Sequence, residues 1–335
     1  MAAILKLRAV LNRQHKALAT EESYVHWLRH YMGAIQTMPA GWTSEKKLER
    51  FLTQLAVQRQ VAASTQNQAF NAILFFYKEV LGKPLQNVQA LRATRPAHLR
   101  HAPTVSETRA LLLAVRDRGG YPTSLVSHLL YGCGLRVSEP LNLRIKDVNL
   151  EQASLVIRGA KGGKDRVVSL PPSLKAEMER QRSRAYSVWQ EDRKNAIPVA
   201  LPNQLARKYP EYQSAWPWAW LFPAQQPCRH PRTRQIVRYR MHEANVQGAI
   251  RAARRKLGIM VLPHELRHAY ATHCLEGGIN PRAIQEAMGH SSLETTMGYL
   301  HAESLSVHSP LETLLPGSPT EQATETGPSG THWTG

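Results

Sequence analysis

At 335 residues the chain is long enough to bury a large core and to divide in two, and its 43 Lys and Arg against 25 Asp and Glu give a formal charge of +18 that suits a polyanion. No apolar run approaches a membrane span, and the opening MAAILKLRAVLNRQ lacks the long apolar stretch and cleavage site of a signal peptide. Cys133, Cys228 and Cys274 are scattered and odd in number, which disfavours a disulfide framework or zinc finger and fits a reducing cytoplasm.

The first ninety or so residues predict helices. After Thr20, a plausible N-cap, Tyr24, Trp27, Leu28, Tyr31 and Met32 recur at helical spacing, as do Leu48, Phe51, Leu52 and Leu55, and then Phe70, Ile73, Leu74, Tyr77 and Leu81. Aromatics at this spacing read as core rather than as platforms for bases. Between Gly82 and Pro103 the pattern dissolves into a polar segment carrying Pro84, Pro96, Arg92, Arg95 and Arg100, which reads as a linker. Ser106 and Glu107 open a further helix, and an apolar run from Ser124 to Tyr131 ends in Gly-Cys-Gly before Arg136. Ser138 can cap the next helix, with Pro140 in its first turn.

The β-branched runs Leu155 to Ile157 and Val167 to Leu170 flank a glycine-rich turn and predict a hairpin with Lys161 near its tip. A helix follows from about Ser173 to Gln190. Residues 195–240 are rich in Trp, Pro and Arg, and helices are predicted around Asn245 to Leu257, His264 to Glu276, Arg282 to Met288 and Leu293 to His301. The residues from about Gly317 have no apolar pattern, so disorder is expected there.

Six side chains in three local contexts carry the chemistry. Arg136, Lys161, His264, Arg267 and His290 could surround one phosphate, and Tyr299 could attack it. Fixed guanidinium forks and imidazole N–H groups suit the negative charge that builds on the non-bridging oxygens of a displaced phosphodiester. Such chemistry requires no metal and no cofactor. His264 and Arg267 are three apart on a helix begun by Pro263, so they share a face. Ser291 and Glu294 form an S-x-x-E capping box that would start a helix after His290, with Tyr299 about two turns along it. The run His264-Glu265-Leu266-Arg267-His268 also matches the zinc-protease pattern H-E-x-x-H, but its longer form needs Gly and His where Ala271 and Cys274 stand. A zinc hydrolase is therefore the last of the alternatives.

The boxes GLRVSE, GAKGGKDR, HELRHAYATH and MGHSSLETTMGYLH resemble those of the tyrosine recombinases, the phage-integrase family, over nearly the whole chain. ALPNQLARKYP, WPWAWLFPA, VRYRMHEANVQGAIRAA and the terminal SPLETLLP resemble integron integrases in particular. The resemblance implies a mainly α fold with a small β-hairpin sheet: a helical SAM-like core-binding domain at 1–90, a basic linker at 91–103, and a catalytic domain at 104–316. The catalytic domain would carry the integron-type insertion at about 195–240, and a disordered tail would occupy 317–335. It further implies a DNA recombinase that is monomeric when free and tetrameric in the synapse. Such an enzyme would be cytoplasmic, associated with the nucleoid when bound to DNA, and would work without membrane or ATP.

The resemblance also assigns roles. Tyr299 would be the nucleophile, Arg136 and Arg267 the phosphate clamp, and His290 a hydrogen-bond donor to the phosphate. His264 would accept a proton near Tyr299, and Glu139 would buttress the site without reacting. The family's G-K-G-x-K pattern selects Lys161 as general acid over Lys164 in the same turn, although Ala160 replaces the usual glycine. Cys133, Pro140 and Leu300 are further departures, and none removes a reacting group. Trp218 is open to two readings, stacking on an extrahelical base of a folded cassette site or packing within the insertion. Arg251, Arg254, Arg255 and Lys256 either contact phosphates or solvate one helix face. A phage-type or chromosome-resolution recombinase acting on duplex sites is the alternative within the family, and a DNA-binding protein that does not cut is the alternative outside it.

Overall fold

The computed structural model describes residues 2–14, 16–58, 60–88, 102–159, 165–230 and 233–289. The chain forms two compact units, Met1–Leu99 and Arg100–Gly335. Most of the predicted linker, residues 89–101, lies outside the described residues, as do the predicted helix from Leu293 to His301 and the tail.

The first unit is all helical: α1 (Ala2–Arg13), α2 (Leu18–Ile35), α3 (Ser44–Val57) and α4 (Ala63–Phe75), the last continuing into a π-helical turn, Phe76–Val80. Apolar residues at helical spacing turn inward and form one core of Leu7, Leu11, Leu28, Leu48, Leu52 and Ile73. The aromatics join it as packing: Trp27, Tyr31 and Phe51 are buried, and the Tyr31 and Tyr77 hydroxyls meet at 3.1 Å. Thr20 is not a cap. Helix α2 begins two residues earlier, with Ala17 at its N-cap and no side-chain cap bond, so the helix is fixed by its buried face rather than by its end.

The second unit begins with α5 (Val105–Ala114) and α6 (Thr123–Gly132). Ser106 and Glu107 lie in the first turn of α5, and Thr104 caps it, with Glu107 three residues beyond reaching back to the Thr104 N–H at 2.9 Å. A short helix, α7 (Ser138–Leu141), precedes an antiparallel sheet in the order β1 (Val148–Asn149), β2 (Ser154–Ile157), β3 (Arg166–Ser169). Ser138 is the first residue of α7, not its cap. The β2–β3 register pairs Leu155 with Val168 and Ile157 with Arg166. Alternation along β3 turns Val167 and Ser169 outward and Val168 into the core.

Helix α8 (Lys175–Lys194) leads into α9 (Asn203–Lys208), a two-stranded ribbon of β4 (Cys228–Arg229) and β5 (Ile236–Val237), and then α10 (Glu243–Leu257), α11 (Pro263–Glu276) and α12 (Pro281–Met288). Leu129, Leu130, Leu135, Leu155, Leu221, Phe222, Ile250 and Leu266 share the core of this unit, so the insertion and the flanking helices pack as one body. No described helix is long and apolar enough to cross a membrane.

Candidate active site

The GLRVSE segment turns tightly between α6 and α7. Gly134 has φ +59°, and a Cβ there would meet the Tyr270 ring at 2.4 Å, so both conformation and space demand glycine. The turn presents Arg136 one residue after the buried Leu135. Glu139, three residues on, accepts the Arg136 backbone N–H at 2.8 Å and its Nη1 at 2.9 Å. The Arg136 side chain keeps 28% of its surface exposed, and among the described residues its Nε and Nη2 have no hydrogen-bond acceptor.

Sequence reasoning missed Arg166, the first residue of β3. It meets Glu139 as a bidentate fork, Nη1 to Oε1 at 2.9 Å and Nη2 to Oε2 at 2.8 Å. With the two bonds from Arg136, each carboxylate oxygen accepts two hydrogen bonds, which fills the roughly four lone-pair positions a carboxylate offers. Arg267 comes up from α11 as a third cation, its Nη1 3.7 Å from Glu139 Oε2. Burial pushes the Glu139 carboxyl up, but the hydrogen bonds from Arg166 and the Arg136 backbone, with the charges of Arg166 and Arg267, bring it below its ordinary value. Glu139 is therefore a buried carboxylate, and the three guanidinium groups around it leave two positive charges over.

Arg267 is 2% exposed. Its Nη1 donates to the Gly134 carbonyl and its Nη2 to the Met288 carbonyl. Arg166 Nε donates to the Ala287 carbonyl at 2.7 Å. The last carbonyls of a helix have no partner within it and carry its negative pole, so two guanidinium groups at the end of α12 satisfy both needs. Gly289 closes that helix at φ +65°, and a Cβ there would lie 3.1 Å from Arg166 Cδ.

His264, on the first turn of α11, is exposed and lies edge-on to His268 with ring centroids 4.5 Å apart. Among the described residues no group of three or more His, Cys, Asp or Glu could hold a metal ion. Lys161, Lys164, His290 and Tyr299 lie outside the described residues. The structure thus brings together Arg136, Glu139 and Arg267 of the predicted set, and adds Arg166.

The insertion carries its own ordered aromatics. Tyr209, Tyr212 and Trp218 form a continuous stack, with centroids 4.9 and 4.8 Å apart and planes within 20°. Lys146 Nζ sits 3.0 Å from the centre of the Trp218 ring, and Lys208 Nζ is 5.1 Å from Tyr209. Trp218 is half-buried, and a base could stack on it only by displacing Tyr212 or Lys146. Beneath it Arg144 donates to the carbonyls of Trp218 and Ala200, and lies 3.7 Å from the Trp220 ring centre. Burial pulls the Arg144 guanidinium down to about 10, so it stays protonated at neutral pH. On α10, Arg251, Arg255 and Lys256 are exposed and Arg254 is half-buried, opposite a buried face of Val246, Ala249, Ile250 and Ala253.

Comparison with known proteins bears on the whole chain. Residues 104–305 match the phage integrase family, and residues 4–87 match the phage integrase N-terminal SAM-like domain. An integrase/recombinase from Escherichia coli is 36% identical over 317 residues, covering 93% of each chain. The tyrosine recombinase XerA of Thermococcus kodakarensis is 30% identical over 306 residues, covering 88% of this chain and 89% of its own. In fold, the Tn1549 transposon integrase in complex with circular intermediate DNA is similar, with a TM-score of 0.60 at 18% identity over 93% of this chain and 99% of that one. The chain belongs to the phage integrase family of tyrosine recombinases, enzymes that cleave and rejoin DNA through a phosphotyrosyl intermediate.

Proposed function

We propose that the chain is a site-specific recombinase of the integron-integrase type, which inserts and excises gene cassettes and uses folded single-stranded cassette sites. One observation carries the assignment of the cleavage site. Arg136 and Arg267, brought from distant elements, share Glu139 with a third arginine in a site whose positive charge exceeds its negative charge. A scissile phosphodiester supplies the missing negative charge, most of all as its non-bridging oxygens gain charge in the transition state.

In this reading Tyr299 attacks phosphorus and forms a 3′-phosphotyrosyl ester. The bond to the 5′-oxygen breaks, and Lys161 protonates that oxygen as it leaves. His264 accepts the phenolic proton, and Arg136, Arg267 and His290 hold the non-bridging oxygens. The covalent ester stores the phosphodiester, so a second strand reseals it without ATP. Residues 1–90 bind core DNA, 91–103 link, 104–316 catalyse, and four protomers assemble at the synapse, two cleaving at a time. The enzyme is cytoplasmic and joins the nucleoid through DNA.

The insertion at 195–240 favours cassette sites, because an extrahelical base that displaces Lys146 from the Trp218 ring would extend the Tyr209–Tyr212–Trp218 stack. The XerA similarity over most of the chain favours the second reading, a chromosome-resolution recombinase on duplex sites. A nicked suicide substrate separates the cases. A covalent adduct lost in Tyr299→Phe and indifferent to chelator is expected, and an adduct that survives Tyr299→Phe sinks the assignment. Trp218→Ala should weaken binding to a bulged cassette hairpin by about 1–3 kcal/mol while sparing bulge-free duplex, and equal losses on both would favour the duplex reading.

A further inference from the structure

Three features set Arg166 apart among the described arginines. It saturates Glu139 together with Arg136, through two bonds of 2.8–2.9 Å to the carboxylate. Its Nε caps the Ala287 carbonyl at the end of α12, beside the Met288 carbonyl that Arg267 caps. Its side chain is 9% exposed and lies against Gly289, the last described residue before His290 in sequence. A single guanidinium therefore connects β3, the turn that bears Arg136, and the point where the chain leaves α12.

We propose that Arg166 is a positioning residue for strand cleavage: it holds Glu139 against Arg136 and Arg267 and fixes the end of α12 from which the chain runs on to His290. The proposal rests on reading this cluster as the cleavage site. Three of the five N–H groups of Arg166, one on each nitrogen, are committed within the protein, and through them Arg166 acts on Glu139 and α12. Lysine keeps the charge but not the planar fork, so it cannot bond both carboxylate oxygens and the Ala287 carbonyl in this arrangement.

The test uses Arg166→Lys and Arg166→Ala in the full chain, with thermal melting as the folding control. On a nicked cassette-site hairpin, both variants should bind within about threefold of the parent while adduct forms about 10-fold (Lys) to 100-fold (Ala) more slowly, the scale of small misplacements in an active site. Combining Arg166→Ala with Glu139→Gln should slow cleavage by less than the product of the two single losses, since the two changes share the Arg166–Glu139 contact. Cleavage at the parent rate, a loss confined to binding, or multiplying losses in the double variant would overturn the proposal. A second measurement needs no substrate. Amide exchange at residues 281–289 of the DNA-free protein should quicken in Arg166→Ala, with melting little changed, and parent-like exchange there would also overturn it. Faster exchange with no adduct from the parent protein would count against the recombinase substrate and leave the Arg166 link supported.

Discussion

The catalytic unit buries arginines in two places and balances their charge differently. In the insertion Arg238 forms a two-pronged pair with Asp192 at 2.6–2.7 Å, gives Nη1 to the Ala224 carbonyl, and is matched one for one. Nearby Arg144 is satisfied by carbonyls, an indole face and the Asp147 carboxylate that takes its backbone N–H. Around Glu139, three arginines share one acid. Desolvating a cation is costly, so a neutralised pair is the expected way to hold a loop, whereas a surplus cation is tolerated where an anionic ligand will complete it. The same residue type thus serves as a fastener in one region and, in the function proposed above, as part of a phosphate site in the other.

The largest expected effect breaks the fastener. Arg238→Ala leaves Asp192 buried and unpaired, which should cost about 3–5 kcal/mol of stability in denaturant unfolding. Asp192→Leu combined with Arg238→Met should recover part of that loss, because both charges then leave together. If Arg238→Ala unfolds like the parent, the two regions do not differ in the way described. Arg136→Ala should behave oppositely. Glu139 keeps its fork from Arg166, so stability should change little, while cleavage of a suicide substrate should fall by about 10²–10³-fold, or about 2.7–4 kcal/mol, the range for removing one fixed donor from a developing anion. A stability loss in Arg136→Ala as large as that in Arg238→Ala would place both arginines in one class.

The two regions also differ in how far their sequence disclosed them. Arg136 and Arg267 stood out because each sits in a recognisable local box, and the hairpin stood out because Leu155–Ile157 and Val167–Leu170 are β-branched runs about a glycine turn. Arg166 was invisible by the same route. It is one arginine in a basic chain, and its partners Glu139 and Ala287 lie 27 and 121 residues away. Arg144 and Arg238 were hidden likewise, since their acceptors are mostly main-chain carbonyls, which carry no sequence signal. Helix starts were misread where a side-chain cap was assumed, at Thr20 and Ser138, because buried faces and turn geometry decided those boundaries. The segment at 195–240 stood out by its Trp, Pro and Arg content, but not as a stack of Tyr209, Tyr212 and Trp218 between two lysines.

The smallest expected effect concerns acid. A carboxylate whose folded pKa lies below its unfolded value adds stability that is fully present above the unfolded pKa and is lost as pH falls through the folded one. Glu139 has its pKa lowered from an ordinary 4.5, so its share of stability should persist at neutral pH, start to shrink as pH falls through the ordinary carboxylate range, and vanish below its folded value. Glu139→Gln removes that share, and its stability deficit relative to the parent should narrow on acidification from pH 6 toward pH 3, followed by urea unfolding at each pH. The sign also tests the charge surplus. Protonating Glu139 withdraws the single anion among three arginines, so the parent cluster should loosen in acid rather than tighten. A deficit that stays constant over this range would mean that Glu139 is held by shape alone, and the contrast with the Arg238–Asp192 pair would then rest on geometry rather than on charge.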